Sequence, residues 1–462
     1  MKYPGKTEIL RIEKEHSWHP FTQMKDYANS NPLVITEANG LILIDADGNE
    51  YYDTVSSWWT NILGHRRPEI TAAVQEQAGK LEHVLYAGIT HPGAAAVMAE
   101  LTSLLDPTLC RCFFSDDGST AVEVALKMAF QHWHNLGRTA KKRFAMLKNA
   151  YHGDTLGAVS VGGVDLFHKI YKPLLFETLQ ASTPDCRSCP HRKSQFTLDA
   201  RDTGCSIECF ASMEQILKEH HQELAAVIVE PLILAAGGLL VYPPEYLNRL
   251  FKLAKELDIL VIFDEVATGF GRTGTLFAYQ QTKGIPDLIC FSKGLTGGYL
   301  PMAMTVATEN IFQSFYSSDR NKTFFHGHSY TANPLCCAAS AATLKLLRQE
   351  NLPESNLANC RLFQTEIMKF ADLRGVSDIR YLGWIGCIDL CGPDRDGTKP
   401  LSIIHMQEIY RRGQQAGLIL RPLGNSIYWW LPLVTTSEAV KEIMQRSYEV
   451  VKDVLHEAYN NN

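Results

Sequence analysis

Short apolar runs alternate with longer amphipathic segments between about residues 110 and 310. The runs predict strands over 112–115, 144–147, 225–229, 259–263, 288–291 and 302–307. Apolar residues at helical spacing predict helices over 119–136 and 244–257, the second with proline in its first turn, where its missing N–H costs nothing. Such alternation implies an α/β fold with a mostly parallel, doubly wound sheet covered by helices on both faces. The first 60 residues read as an extended arm and a small hairpin, LILIDADGNEYYD, turning at Asp-Gly. A separate αβ region runs from residue 340 to the end. We therefore expect a large domain over 61–339, with 1–60 and 340–462 folding together as a smaller α+β domain. The last residues, 459–462, are expected to fray.

The 462 residues carry 44 basic and 50 acidic side chains, a formal charge of −6. That balance excludes a nucleic-acid or anionic-membrane binder, which needs a cationic surplus. With 45% apolar and 20% charged residues the composition is globular. The longest apolar stretch, 225–241, is interrupted by Glu230 and Pro231 and contains Gly237 and Gly238, so it reads as a buried strand and a loop, not a membrane span. The start, MKYPGKTEILRIEKEHSWHP, has no apolar signal region, and twelve scattered cysteines suit a reducing cytoplasm.

Four strands end in polar residues: CFFS runs into Asp116-Asp117-Gly118-Ser119-Thr120, AAVIV into Glu230-Pro231, ILVIF into Asp264-Glu265, and LICF into Ser292-Lys293. In a doubly wound sheet ligands sit beyond the carboxyl ends of the strands, so one crevice gathers a glycine-serine turn, an aspartate and a lysine. Gly118-Ser119-Thr120 caps the following helix, holds a phosphate on free N–H groups and hydroxyls, or does both. Asp264 is either one half of an ion pair or a fixed negative charge facing a cationic ring nitrogen. Lys293 is either a solvated strand end or a desolvated, nucleophilic amine. An imine-forming lysine, an acidic partner for a pyridine nitrogen and a phosphate cup are together what pyridoxal phosphate requires.

VIFDEVATGFGRTG followed by DLICFSKGLTGGYLP resembles the class III pyridoxal-phosphate aminotransferases. HSWHPFTQMKDY, the SSWW at 56–59, DDGSTAVEVALKMA, AYHGDTLGAVSVG, FFHGHSYTANPL and LRPLG extend the resemblance over about residues 16–432. It implies a fold type I homodimer with shared active sites. Within the class it implies amination of 8-amino-7-oxononanoate to 7,8-diaminononanoate, a step of biotin synthesis. By the same resemblance Lys293 carries the cofactor and shuttles the substrate proton, Asp264 keeps the ring nitrogen protonated, and Gly118 and Ser119 hold the phosphate. His328 and Ser329 reach the phosphate in the neighbouring subunit. Tyr151 stacks on the ring, Trp58 and Phe21 shape the substrate pocket, Gly327 leaves room near it, Tyr428 touches it, and Arg421 binds the substrate carboxylate.

Two departures bear on the amino donor. Phe21 stands where related enzymes often carry tyrosine, and Gly-His328-Ser329 replaces Gly-Pro-Thr. Both look like relatives that take the amino group from lysine, whereas the tryptophan pair leans toward adenosylmethionine. The donor is adenosylmethionine, lysine, or another ω-amine or diamine.

Other features carry less. Gly269-Phe-Gly271-Arg-Thr-Gly274 matches a dinucleotide fingerprint but opens no clear helix. Cys186-x2-Cys189 and Cys205-x3-Cys209 are either reduced thiols in a surface loop or a zinc or iron–sulfur site, and no metal ligand is assigned. A rival reading makes that insert the working part of a metal-dependent interaction scaffold, which leaves Lys293 and Asp264 without a role. His132, His134, His220 and His221 read as surface helix residues.

Overall fold

The computed structural model describes residues 4–191, 205–393 and 399–460. Strands β1 (Ile35–Asn39), β2 (Ile42–Asp45) and β3 (Glu50–Tyr52) form an antiparallel sheet, with the Asp-Gly turn between the last two. Asp45 fixes that turn by accepting hydrogen bonds from the amides of Asp47 and Asn49, both at 2.9 Å. The preceding arm is not extended. Lys6–His16 is an α-helix with no buried residue. It is a run of good helix formers stapled by Glu8–Arg11 and Arg11–Glu15 ion pairs at 2.7 and 2.5 Å.

The central sheet has seven strands. Its first four in the chain are β4 (Leu109–Ser115), β5 (Arg143–Leu147), β6 (Leu179–Ala181) and β7 (Leu224–Val229). After the short pair β8 (Ile233–Leu234) and β9 (Leu240–Val241) come β10 (Leu260–Asp264), β11 (Leu288–Phe291) and β12 (Ala303–Thr308). The order is β4-β12-β11-β10-β7-β5-β6. The sheet is mostly parallel, but β12 runs antiparallel to both neighbours. The connection 292–302 is too short to hold a crossover helix, so the chain returns in the opposite direction.

Helix α1 (Gly118–Asn135) follows β4, and α2 (Pro244–Glu256) precedes β10 with Pro244 in its first turn. His132 is not a surface residue: α1 turns it inward, where its Nδ1 lies 3.0 Å from Ser314 Oγ and burial pushes its imidazole down to about 4.

Farther along the chain are β13 (Val376–Leu382), β14 (Ile385–Leu390), β15 (Pro422–Leu423) and β16 (Ser426–Trp430), which form a four-stranded antiparallel sheet. The segment after β3 is bonded to it: Tyr52 N–H donates to Gly417 O at 2.8 Å, and Trp430 N–H donates to Thr54 O at 2.8 Å. Helix α3 (Ser437–Asn460) does not fray at Tyr459, whose hydroxyl donates to Gly392 O at 2.9 Å. Residues 461 and 462 lie outside the described residues. Among the described residues no helix is long and apolar enough to cross a membrane.

Candidate active site

Strands β4, β5, β7, β10 and β11 run in one direction, so their carboxyl ends open on the same edge of the sheet. A cavity of about 860 Å³ lies there, lined by Gly118, Ser119, Tyr151, His152, Glu230, Asp264 and Lys293 among others. Topology thus gathers residues far apart in sequence.

At the start of α1, Asp117 and Thr120 form a reciprocal cap: Thr120 N–H donates to Asp117 Oδ1 at 2.9 Å, and Asp117 N–H donates to Thr120 Oγ1 at 3.0 Å. The cap leaves the first amides and the positive helix end facing the cavity, which suits an anion. A side chain at Gly118 would come within 2.6 Å of Val266 Cγ1, so only glycine lets α1 approach the loop after β10. Ser119 Oγ accepts from Asp154 N–H at 3.2 Å and fastens the loop after β5 to the same turn.

Asp264 is buried at the end of β10, where Oδ2 lies 2.7 Å from His152 Nδ1 and Oδ1 accepts from Val266 N–H at 3.0 Å. Among the described residues buried His152 Nε2 meets no hydrogen-bond partner. Glu230 is buried as well, accepting from Tyr151 N–H and Ala235 N–H, each at 2.9 Å. Burial pushes its carboxyl up to about 7, against the pull of His152 and with a further push from Asp264. Tyr151 donates its hydroxyl to Asp154 at 2.8 Å; burial, then that bond, raises its pKa.

Lys293 has a left-handed φ of 44° and opens a tight turn that aims its amine into the cavity. Nζ sits 4.7 Å from the centre of the Trp59 ring. Burial pushes the ammonium down to about 8, against the attraction of Asp264 and Glu230. Among the described residues it has no ion-pair partner. A helix start open to an anion, a buried carboxylate held by an imidazole and a backbone amide, and an amine of lowered pKa with no ion-pair partner among the described residues fit pyridoxal phosphate.

The opposite wall is aromatic. Trp58 is exposed to the cavity with the Arg421 guanidinium 4.6 Å over its ring. Arg421 has no carboxylate partner among the described residues. Phe21, from the arm, meets Trp58 at 5.8 Å and Phe167 at 5.3 Å, both edge-on. Tyr428 is buried against Trp59 at 6.3 Å and also lines the cavity. Ser56–Trp59 is a turn in which all four residues take left-handed φ. That conformation costs non-glycine residues about 1–2 kcal/mol each.

Gly327, His328 and Ser329 do not line the cavity of the single chain. His328 Nδ1 instead lies 3.2 Å from Asp116, at the rim beside the start of α1.

The remaining sequence features resolve differently. Gly271 and Gly274 take left-handed φ in a loop that carries Arg272 into the core. Arg272 donates to the carbonyls of Leu431, Trp59 and Asn61 at 2.7, 3.2 and 2.7 Å, and burial lowers its pKa to about 9. The glycine pattern serves that packing. Cys186, Cys189, Cys205 and Cys209 are half-buried, and among the described residues no three His, Cys, Asp or Glu side chains are placed to hold a metal. Arg187, between Cys186 and Cys189, bonds Asp185 and also reaches Asp389 of β14 at 2.9 Å.

Sequence reasoning assigns no role to Glu230, His152 and Asp154, which line the cavity, or to Arg272, which braces the turn at Trp59 from the core. Glu230 carries the same signal that singled out Asp264, a carboxylate closing an apolar strand. His152 and Asp154 stand beside Tyr151 in the YHGD run.

Fold and site together define a pyridoxal-phosphate-dependent transferase. The model of the family described as aminotransferase class-III matches residues 24–451. An adenosylmethionine-8-amino-7-oxononanoate aminotransferase of Geobacter sulfurreducens is 42% identical over 440 residues, covering 94% of this chain and 95% of its own. The crystal structure of an enzyme of that name from Methanocaldococcus jannaschii superposes with a TM-score of 0.90 at 36% identity, covering 97% of this chain and 99% of that one. An omega-transaminase from Pseudomonas jessenii in complex with PMP gives a TM-score of 0.91 at 26% identity, covering 98% and 100%. The chain belongs to the class III aminotransferases.

Proposed function

We propose that this aminotransferase moves an amino group from adenosylmethionine to the keto carbon of 8-amino-7-oxononanoate, forming 7,8-diaminononanoate for biotin synthesis. The observation that carries the reading is Arg421, without a carboxylate partner among the described residues and 4.6 Å over the Trp58 ring, in the wall of a cavity that also holds Lys293. A keto acid with its carboxylate several bonds from the reacting carbon suits that arrangement. The names of the relatives at 42 and 38% identity support the same pair of substrates.

Pyridoxal phosphate supplies an electron sink and carries the amino group between the two half-reactions. Gly118 and Ser119 bind its phosphate through the start of α1. Asp264 holds the proton on the ring nitrogen, and His152, 2.7 Å away, orients that carboxylate. Lys293 would anchor the cofactor, and its free amine would take and return the proton at the reacting carbon; a lowered pKa suits an amine for that exchange. Tyr151, which lines the cavity, would pack against the cofactor ring, and Tyr428 would bound the pocket beside it. Arg421 grips the oxononanoate carboxylate through a bidentate pair, while Phe21 and Trp58 exclude water from its apolar chain. His328 and Ser329, outside the cavity of their own chain, complete the phosphate cup of a second copy, so the working unit is a homodimer in the cytoplasm.

The test is a single-turnover absorbance measurement on the yellow holoenzyme, with adenosylmethionine and lysine added separately and no acceptor present. Bleaching by adenosylmethionine alone is expected. Bleaching by lysine alone reassigns the donor, and bleaching by neither removes both.

A further inference from the structure

The turn Ser56–Trp59 has φ values of 49°, 46°, 68° and 72°, and none of its residues is glycine. A left-handed run of L residues persists only where its surroundings over-determine it. Here they do. Ser56 Oγ donates to Trp430 O at 2.5 Å, inside the fold. Ser57 Oγ donates to Asp53 Oδ2 at 2.7 Å, and the same oxygen accepts from His65 Nε2 at 2.9 Å. Asp53 is buried and Ser57 is exposed. On the other side, Arg272 holds the carbonyls of Trp59 and Asn61.

The consequence is a divergence of two adjacent indoles. Trp59 turns inward and stacks on Trp430 at 4.6 Å, while Trp58 turns out under the Arg421 guanidinium at 4.6 Å. A right-handed turn rotates successive side chains in the opposite sense, so with Trp59 kept on Trp430 it would carry Trp58 away from Arg421. The indole face occupies the flat side of the guanidinium and leaves its N–H edge for a carboxylate.

We infer that Asp53, acting through Ser57 and backed by His65, is a positioning group for recognition of the substrate carboxylate: it locks the left-handed turn that sets Trp58 under Arg421. Asp53 touches neither substrate nor cofactor, and the inference rests on the reading of Arg421 as the carboxylate-binding group.

The experiment compares Ser57→Ala, which removes one exposed hydroxyl, with Asp53→Asn, which keeps the shape and loses the charge. Losing one charge-assisted hydrogen bond is expected to raise the KM for 8-amino-7-oxononanoate about tenfold in each. The donor half-reaction is expected to slow by less than about threefold on the same scale. In an Arg421→Ala background Ser57→Ala adds nothing further, because the platform no longer has a cation to hold. An unchanged acceptor KM in Ser57→Ala overturns the inference. So does an equal loss in both half-reactions, or a full loss persisting beside Arg421→Ala. If Arg421→Ala itself leaves the acceptor KM unchanged, the carboxylate reading falls first and the inference with it.

Discussion

The two walls of the cavity are built by opposite means. The wall with Lys293, Asp264 and Glu230 hangs from the ends of neighbouring strands, and its carboxylates each accept two or more hydrogen bonds or contacts at 2.7–3.0 Å. The wall with Phe21, Trp58 and Arg421 is assembled from an arm, a left-handed turn and a loop near β15, and its rings touch edge-on or by stacking. The difference teaches a division of labour. Acid–base chemistry needs atoms fixed to fractions of an ångström, which a sheet provides. Selection among substrates needs surfaces that can be exchanged, which loops provide.

The sharpest break of that comparison is at Lys293. Lys293→Ala removes the covalent anchor and the proton carrier together, and turnover is expected to drop by on the order of 10⁴ or more with circular dichroism unchanged. Substantial steady-state turnover would show that the strand-end wall does not carry the chemistry. Asp264→Asn keeps the shape and the bond to Val266 but removes the fixed charge. A loss of roughly 10²–10³ in kcat is expected in both half-reactions, as for other preorganised electrostatic groups. A loss confined to one half-reaction would contradict its place on the shared wall.

On the other wall Arg421→Ala is expected to raise the acceptor KM by about 10–100-fold, equivalent to roughly 1.5–3 kcal/mol of charge-assisted bonding. The donor half-reaction should be affected far less, and comparable losses in both would merge the two walls into one.

The smallest effect is one of pH. Burial holds the free Lys293 amine near 8 instead of its ordinary value of 10.5. Only the neutral amine attacks an aldehyde, so cofactor capture by the stripped protein, followed by absorbance, is expected to accelerate up to about pH 8 and then level off. The linkage has a definite sign. Between about 8 and 10.5 the unfolded chain holds a proton that the folded one has released, so stability rises with pH across that window and is lost as pH falls through 8. A capture rate still climbing through pH 10 would mean that burial does not lower this amine.

The strand-end wall was legible because strands buried on both faces read as unbroken apolar runs, and a carboxylate or an amine closing such a run stands out. Asp264 and Lys293 were found that way. Glu230 carries the same mark, but only the fold, which sets it buried beside Asp264, shows it to be a second carboxylate of the wall. Hydropathy does not encode strand direction, so β12 was expected as one more strand of a largely parallel sheet. The helix Lys6–His16 gives a weak signal because its apolar residues, Ile9, Leu10 and Ile12, span a single turn and bury nothing. The turn at Trp58 left no trace in composition, because its left-handed backbone is imposed by Asp53, Trp430 and Arg272, all remote or neutral in the local pattern. His132 was read from its type, whereas its position on α1 decides its burial.

Phe21 belongs to a stretch, from the first described residue through β1, that contributes no side chain to the core. That stretch is held from outside, by contacts such as Lys6 with Asp47 and by the Phe21 ring against Trp58 and Phe167. Replacing it is expected to change the cavity wall at Phe21 while leaving the Lys293 and Asp264 wall in place. For anyone redesigning the enzyme toward bulkier amines, the arm is the natural cassette: a different leader sequence can be spliced ahead of β1 to reshape the entrance, with no core to repack and no catalytic group to re-register.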